Sequence, residues 1–151
     1  MHLSVALAAS LALIGLGGGL YEFSVIDPAW PRWPRRPDLI QPNRAGVDRK
    51  WFWIPAHVVF ELALIASLML AWSHLEVRWW LWVAFTSHAM MRVWSAIDFI
   101  PKALAFERAE PGTISEDAAR RWTRRSRFRM PLDLVTCGAM LAALFQAARI
   151  G

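Results

Sequence analysis

Four long apolar runs constrain this chain more than any other feature of its sequence. They cover residues 3–26, 51–72, 79–100 and 131–150, and about 20 apolar residues are enough for a helix to cross a bilayer. Charged residues make up 19% of the chain and are concentrated between the runs, whereas soluble domains carry about a quarter. We therefore predict an all-α integral membrane protein. Residues 1–151 would form a single domain, an antiparallel bundle of four transmembrane helices.

The first apolar run contains a glycine-rich stretch, GLGGG. No Lys or Arg precedes this run and no small-residue cleavage site follows a short apolar core, so we expect an uncleaved helix and not a signal peptide. Gly15 and Gly19 leave a flat face that lets another helix approach closely. That helix is either a neighbour in the same bundle or, in a homo-oligomer, the same helix of a second copy.

The segments between the runs carry most of the positive charge. Residues 27–50 hold six Lys or Arg and residues 101–130 hold eight, whereas Arg78 and Arg149 are the two on the opposite side. Because basic loops stay in the cytoplasm, both segments are predicted to be cytoplasmic, with both termini outside the inner membrane. These basic residues flank apolar runs, so their expected partner is membrane lipid and not nucleic acid.

Local signals add detail to the two basic segments. Five prolines between residues 27 and 50 argue against a regular helix there, and Trp30 is expected at the level of the lipid headgroups. Pro101 is expected to end the third apolar run. Residues 113–127 have acidic residues early and basic residues late, which suits the helix dipole. They predict a short amphipathic surface helix before the fourth span, with Trp122 at the membrane interface.

Polar and ionisable residues inside the apolar runs are costly to bury and usually mark a site. At about 1.5 Å of rise per helical residue, they all fall in the cytoplasmic half of the predicted bundle, which indicates a polar cavity open to the cytoplasm. His57, Glu61, His88 and Arg92 are the candidate catalytic residues, and the first two share one helix face. The candidate residues lining the cavity are Glu22, Trp53, Trp94, Ser95, Asp98 and Asp133.

The candidate catalytic residues allow two kinds of chemistry. Glu61 is expected level with His88, and a carboxylate facing an imidazole can form a proton-transfer couple. Arg92 would be neutralised by a nearby acid or would hold an anionic group. His57, Glu61 and His88, with Glu22 as a fourth, also offer ligands to a metal ion. Bis-histidine haem is disfavoured, because the two histidines are expected to be offset by roughly 10 Å along the membrane normal, while haem with one histidine remains open.

Several features of the chain resemble a known family. A glycine-rich first helix (GLGGGLYEF), a first loop with Pro and Trp, a Trp-led second run and a polar third run are similar to small four-span membrane proteins of the anthrone-oxygenase-like family. This resemblance implies oxygenation of a hydrophobic, often aromatic or polyketide-like molecule at the membrane. The fragment HVVFE is also similar to four-helix sterol-isomerase and sigma-2-type proteins, which gather acids in a membrane cavity.

Three hypotheses of function follow. The first is a membrane enzyme, an oxygenase or isomerase, that acts on a lipophilic substrate of aromatic, polyketide-like or isoprenoid-like character in the cytoplasm-facing cavity. The second is a non-catalytic binding or accessory subunit, in which the buried polar residues fix helix packing. The third, a proton-coupled transporter, is disfavoured because the outer half of the predicted bundle has no ionisable residues to carry a proton across.

Overall fold

The chain folds into helices. The computed structural model describes residues 1–31 and 48–150, and within these ranges every regular element is helical. The four long helices there are α1 (His2–Tyr21), α3 (Lys50–Leu70), α4 (Leu75–Trp94) and α7 (Met130–Ile150). The shorter helices are α2 (Asp27–Ala29), α5 (Ile100–Arg108) and α6 (Glu116–Ser126). Most of the proline-rich segment predicted to be irregular lies outside the described residues.

Among the described residues, three helical stretches are long and apolar enough to cross a membrane. They are His2–Ala29, Lys50–Leu70 and Glu116–Ile150. The fourth long helix, α4, is less apolar because it carries charged residues at both ends. Leu7 and Leu62 are 55% and 63% exposed, and many other large apolar side chains also face outward, as expected of a surface in contact with lipid. The helices therefore indicate a membrane protein.

The four long helices pack side by side as a bundle. α1 packs against α3 and α7, and α4 packs mainly against α7. Small buried residues at these contacts, including Ala8, Ala139 and Ala143, let the helices approach closely. Ser87 Oγ on α4 also donates a hydrogen bond of 2.8 Å to the carbonyl oxygen of Leu132 on α7. α3 and α4 touch over a shorter length, so the bundle is loosest between these two helices.

Pro28 and Pro101 do not end their helices, contrary to the prediction from sequence. Each follows a π-helical segment, Glu22–Ile26 or Ser95–Phe99. The residue before each proline donates its N–H to the carbonyl of the first residue of the segment. These bonds run from Asp27 to Glu22 and from Ile100 to Ser95. The wider π turn accommodates a proline, which has no N–H to donate and whose ring would clash with the carbonyl one turn earlier. As a result, α1 runs into α2 and α4 runs into α5.

A second buried cluster contains aromatic side chains from three parts of the chain. Trp30, Phe99 and Trp122 are 1%, 2% and 6% exposed, and they pack together. Trp122 Nε1 donates to the carbonyl oxygen of Phe99 at 3.3 Å. The short helix expected before the fourth run is therefore present as α6, but it buries its apolar face against the protein. Trp30 and Trp122 are covered by the protein, because both residues pack against aromatic partners within the chain.

Polar contacts tie the ends of the two basic segments together. Ser126 Oγ donates to Asp27 Oδ2 at 3.2 Å, which links α6 to the end of the first helix. Lys50 Nζ lies 2.9 Å from Glu107 Oε2, which links the start of α3 to α5. Both basic segments therefore have their described ends at the same end of the bundle.

Candidate functional site

The bundle encloses a cavity of about 440 Å³. Its wall is formed by α1, α3, α4, α5 and α7 together with both π-helical segments, and apolar side chains make up much of it. The charged and histidine side chains on the wall come from the four long helices, from the segments next to them and from α5. They are Glu22, Arg49, Lys50, His57, His88, Arg92, Glu107, Arg129 and Asp133.

Glu61 is the centre of the polar contacts on one side of this cavity. Its Oε1 atom lies 3.2 Å from Nε2 of His88 and 3.0 Å from Nε of Arg92. Because an ionised carboxylate only accepts hydrogen bonds, His88 Nε2 carries the hydrogen when this bond forms. His88 and Arg92 line the cavity and Glu61 does not, so the carboxylate lies behind them and orients both side chains. The sequence placed Glu61 level with His88, and the two are in contact.

His57 lies closer to His88 than its position along the helix implied. The centroids of the two imidazole rings are 5.4 Å apart, and His57 also stacks on Trp53 at 5.4 Å. The predicted offset of roughly 10 Å along the membrane normal was therefore wrong, because that figure treats the helices as straight and parallel to the normal. Phe60 packs edge-on to His88 at 4.8 Å. His57, Glu61 and His88 offer ligand atoms that all lie within 4.8 Å of one another.

Glu22 belongs to a different part of the cavity wall. Its Oε1 accepts a 2.8 Å hydrogen bond from Trp53 Nε1, and its Oε2 lies 3.9 Å from Arg49 Nη1. The indole of Trp53 thus lies between Glu22 and His57. The expectation that Glu22 is a fourth ligand beside the two histidines is not met, since the group of potential ligands found among the described residues holds three members without it.

Ser95 and Asp133 also lie on the cavity wall. Ser95 Oγ accepts a 2.9 Å hydrogen bond from Arg129 Nη1, and Arg129 Nε donates to the carbonyl oxygen of Ser126 at 3.3 Å. The guanidinium also lies 4.4 Å over the ring of Phe99. Arg129 is therefore fixed in place by three neighbours at the end of the cavity nearest the basic segments.

Asp98 and Trp94 do not line the cavity, contrary to the prediction. Asp98 forms ion pairs with Lys102 and, at 2.7 Å, with Arg125. Trp94 borders a separate shallow groove on the outside of α4 and α7. Asp98 lies within the second π-helical segment, Ser95–Phe99, whose wider turn changes the direction in which its side chains point, and Trp94 immediately precedes this segment.

Four charged residues of the cavity wall were not predicted from the sequence: Arg49, Lys50, Glu107 and Arg129. They lie beyond the ends of the apolar runs, so they were counted only as loop charges. Arg129 could have been predicted from its spacing to Asp133. It precedes Asp133 by four residues in one continuous helical stretch, which places both residues on the same helix face.

The glycine-rich face of α1 forms part of the cavity wall. Gly15 and Gly19 line it, as does Cys137 on α7, the single cysteine of the chain. A side chain added at Gly15 would meet no atom within 4 Å, because the open cavity lies there. Gly18 instead packs against Phe52 of α3. Within one chain, the glycine-rich part of α1 therefore both packs against α3 and lines the cavity.

No protein-family model, no curated protein and no solved structure matches this chain.

Proposed function

We propose that this protein is a four-span enzyme of the inner membrane that binds a lipophilic small molecule in the cavity and moves a proton to or from it. The oxygenase and isomerase activities implied by the family resemblance both fit this description, because each can begin by removing a proton from a carbon beside a carbonyl group. The observation that carries the proposal is the His88–Glu61 contact on the wall of a largely apolar cavity.

The distribution of charge supports the orientation. The two basic segments carry fourteen of the seventeen Lys and Arg residues, and their described ends lie at one end of the bundle. The positive-inside rule assigns that end to the cytoplasm. The cavity and its ionisable residues then lie in the cytoplasmic half, whereas the other half of the bundle is the apolar core around Val5, Leu81 and Ala147. A proton-coupled transporter would need polar groups through that half as well.

The shape of the cavity supports a lipophilic ligand. Ile54, Val58 and Ile100 line the cavity and are also 60%, 46% and 43% exposed on the outside of the bundle. An apolar rim therefore connects the cavity to the surface between α3 and the start of α5. A molecule dissolved in the bilayer can enter through this rim without crossing water.

The polar wall supports a role in proton transfer. When Nε2 of His88 donates to Glu61, the other ring nitrogen, Nδ1, is free to accept a proton from the ligand. Glu61 then stabilises the imidazolium ion that forms, and Arg92 beside it favours negative charge that develops on the ligand. An isomerase would return the proton to a different carbon, whereas an oxygenase would let the carbanion react with molecular oxygen.

Cys137 provides a direct test of ligand binding, because it is the only cysteine and it lines the cavity. The purified protein in lipid nanodiscs is treated with a small uncharged thiol reagent in the presence and absence of anthrone. We expect anthrone to slow the modification of Cys137. Gly15→Leu, which projects into the cavity, should abolish this protection, and Gly17→Leu, whose side chain faces outward, should leave it unchanged.

Proton transfer is tested by the exchange of acidic carbon-bound hydrogen in deuterium oxide, followed by mass spectrometry of anthrone. Because a general base contributes about 100- to 10,000-fold, His88→Gln should reduce the enzyme-dependent exchange by at least about 100-fold. His2→Gln, at an exposed position, is the matched control. If anthrone protects Cys137 but its hydrogen exchanges no faster than in buffer, the enzyme hypothesis is refuted. The protein would then be a binding or accessory subunit.

A further inference from the structure

We infer that His57, Glu61 and His88 bind a divalent transition-metal ion on the wall of the cavity. The inference rests on the proposed function, because it uses the same cavity; with the ion bound, His88 and Glu61 would act as ligands, and water on the ion would replace Nδ1 of His88 as the base. Iron(II), manganese(II) and zinc(II) are the ions whose ligand preferences fit two imidazoles and one carboxylate.

The first argument is geometric. Two of the ligands lie one helical turn apart on α3 and the third lies on the adjacent α4, and their ligand atoms are all within 4.8 Å of one another. Metal–ligand bonds of about 2.1 Å place the ligand atoms of one ion roughly 3 Å apart. Rotation of side chains closes that difference without moving either helix.

The second argument comes from the groups around the three ligands. Arg92 Nε donates to Glu61 Oε1 at 3.0 Å, and carboxylates that bind metals are usually held by such outer hydrogen bonds. Trp53 stacks on His57, and Phe60 packs edge-on to His88. These contacts fix the orientation of both imidazole rings, which reduces the entropy that binding a metal would cost.

The third argument concerns the number of ligands. Glu22, the fourth ligand suggested by the sequence, is engaged by Trp53 and Arg49. Three protein ligands leave coordination positions for water or for a ligand atom, which is the pattern of catalytic and not of structural metal sites. Because His57 and His88 line the cavity, a bound ion would face the space assigned to the lipophilic molecule. The ion would polarise an oxygen of that molecule and lower the pKa of a bound water.

The test uses the full-length protein in detergent, stripped of metal with a chelator and then titrated with cobalt(II) as a probe. We expect a saturable visible absorption from cobalt in a site of low symmetry. His57→Asn should weaken binding by more than about 100-fold, since even the outer partners of metal ligands change affinity about 10- to 100-fold. His57 contacts its neighbours through ring stacking, so this variant is the least disturbing to the fold. His88→Gln should have the same effect.

Matched controls use residues of the same type away from the cavity. His2→Asn and Glu76→Gln lie at exposed positions and should leave the cobalt affinity unchanged. Equal affinity in the wild-type protein and in folded His57→Asn, or equal losses in the controls, would overturn the metal site.

The two proposals fail in different ways. If the chelator-treated protein exchanges anthrone hydrogen at the full rate and gives no cobalt spectrum, the metal site is refuted. That result leaves the proton-transfer enzyme standing. Conversely, the cobalt spectrum can depend on His57 and His88 while anthrone neither protects Cys137 nor exchanges its hydrogen. That result refutes the proposed function and leaves the metal site standing.

Discussion

The contacts of Glu61 lead to a quantitative prediction for the free energy of unfolding. Glu61→Ala removes the acceptor of two hydrogen bonds, one from His88 at 3.2 Å and one from Arg92 at 3.0 Å. The side chain of His88 is 8% exposed, and a buried donor left without its acceptor costs about 1–3 kcal/mol. The ion pair between Glu61 and Arg92, whose side chains are each 37% exposed, links α3 to α4, and polar contacts between membrane helices contribute about 0.6 kcal/mol on average.

Taken together, these values predict that Glu61→Ala destabilises the protein by about 2–3 kcal/mol. Glu61→Gln retains an oxygen that accepts a hydrogen bond, so its cost should be about 1 kcal/mol. The free energy of unfolding is measured in mixed micelles by titration with a denaturing detergent, followed by far-ultraviolet circular dichroism. Glu76→Ala, at an exposed position in the first turn of α4, is the control and should cost about 0.5 kcal/mol.

A double-mutant cycle separates the two contacts. Glu61 and His88 should show a coupling of about 1–2 kcal/mol, and Glu61 and Arg92 a coupling below about 1 kcal/mol. If Glu61→Ala costs no more than Glu76→Ala, or if both couplings are zero, then the carboxylate does not hold His88 and Arg92 in place. The proton-transfer couple would lose its structural basis with it.

Two further predictions concern packing. Trp122→Ala should destabilise the protein by about 3–5 kcal/mol and speed tryptic cleavage within α6, because Trp122 is 6% exposed and anchors that helix. The control is Trp79→Ala, at a residue that is 64% exposed, and it should change neither the stability nor the cleavage rate. Ser87→Ala removes the 2.8 Å bond from α4 to the carbonyl of Leu132 and should cost about 0.6–1.7 kcal/mol in the same detergent titration. Ser67→Ala, which removes a bond to the carbonyl of Ala63 within its own helix, should be close to neutral, and equal costs for the two serines would contradict the inter-helix role of Ser87.

Much of the candidate site could be predicted from the sequence, because ionisable residues in apolar runs are rare and their spacing is informative. His57 and Glu61 are one turn apart, and counting residues from the ends of the runs placed Glu61 beside His88. Both the shared face of His57 and Glu61 and the level of Glu61 with His88 follow from the rise and periodicity of a helix and from the direction of each run. They located the three residues that the structure brings within 4.8 Å of one another.

Other parts of the site depended on local geometry that the pattern of apolar residues does not contain. The two π-helical segments continue the helices past Pro28 and Pro101. Asp98 lies within the second segment and pairs with Lys102 and Arg125 instead of lining the cavity. Arg129 was missed for a related reason, since it lies outside an apolar run and yet continues the helix that leads into α7.

The sequence by itself determined the helices, their apolar character and the end of the bundle at which the polar residues gather. These properties follow from hydrophobicity and from a fixed rise per residue, both of which act along a single helix. The tertiary structure decided which side chains meet: His57 with His88, Glu22 with Trp53, and Trp122 with Trp30. These contacts depend on the tilt and rotation of each helix, which are set by packing against its neighbours and cannot be read from one helix alone.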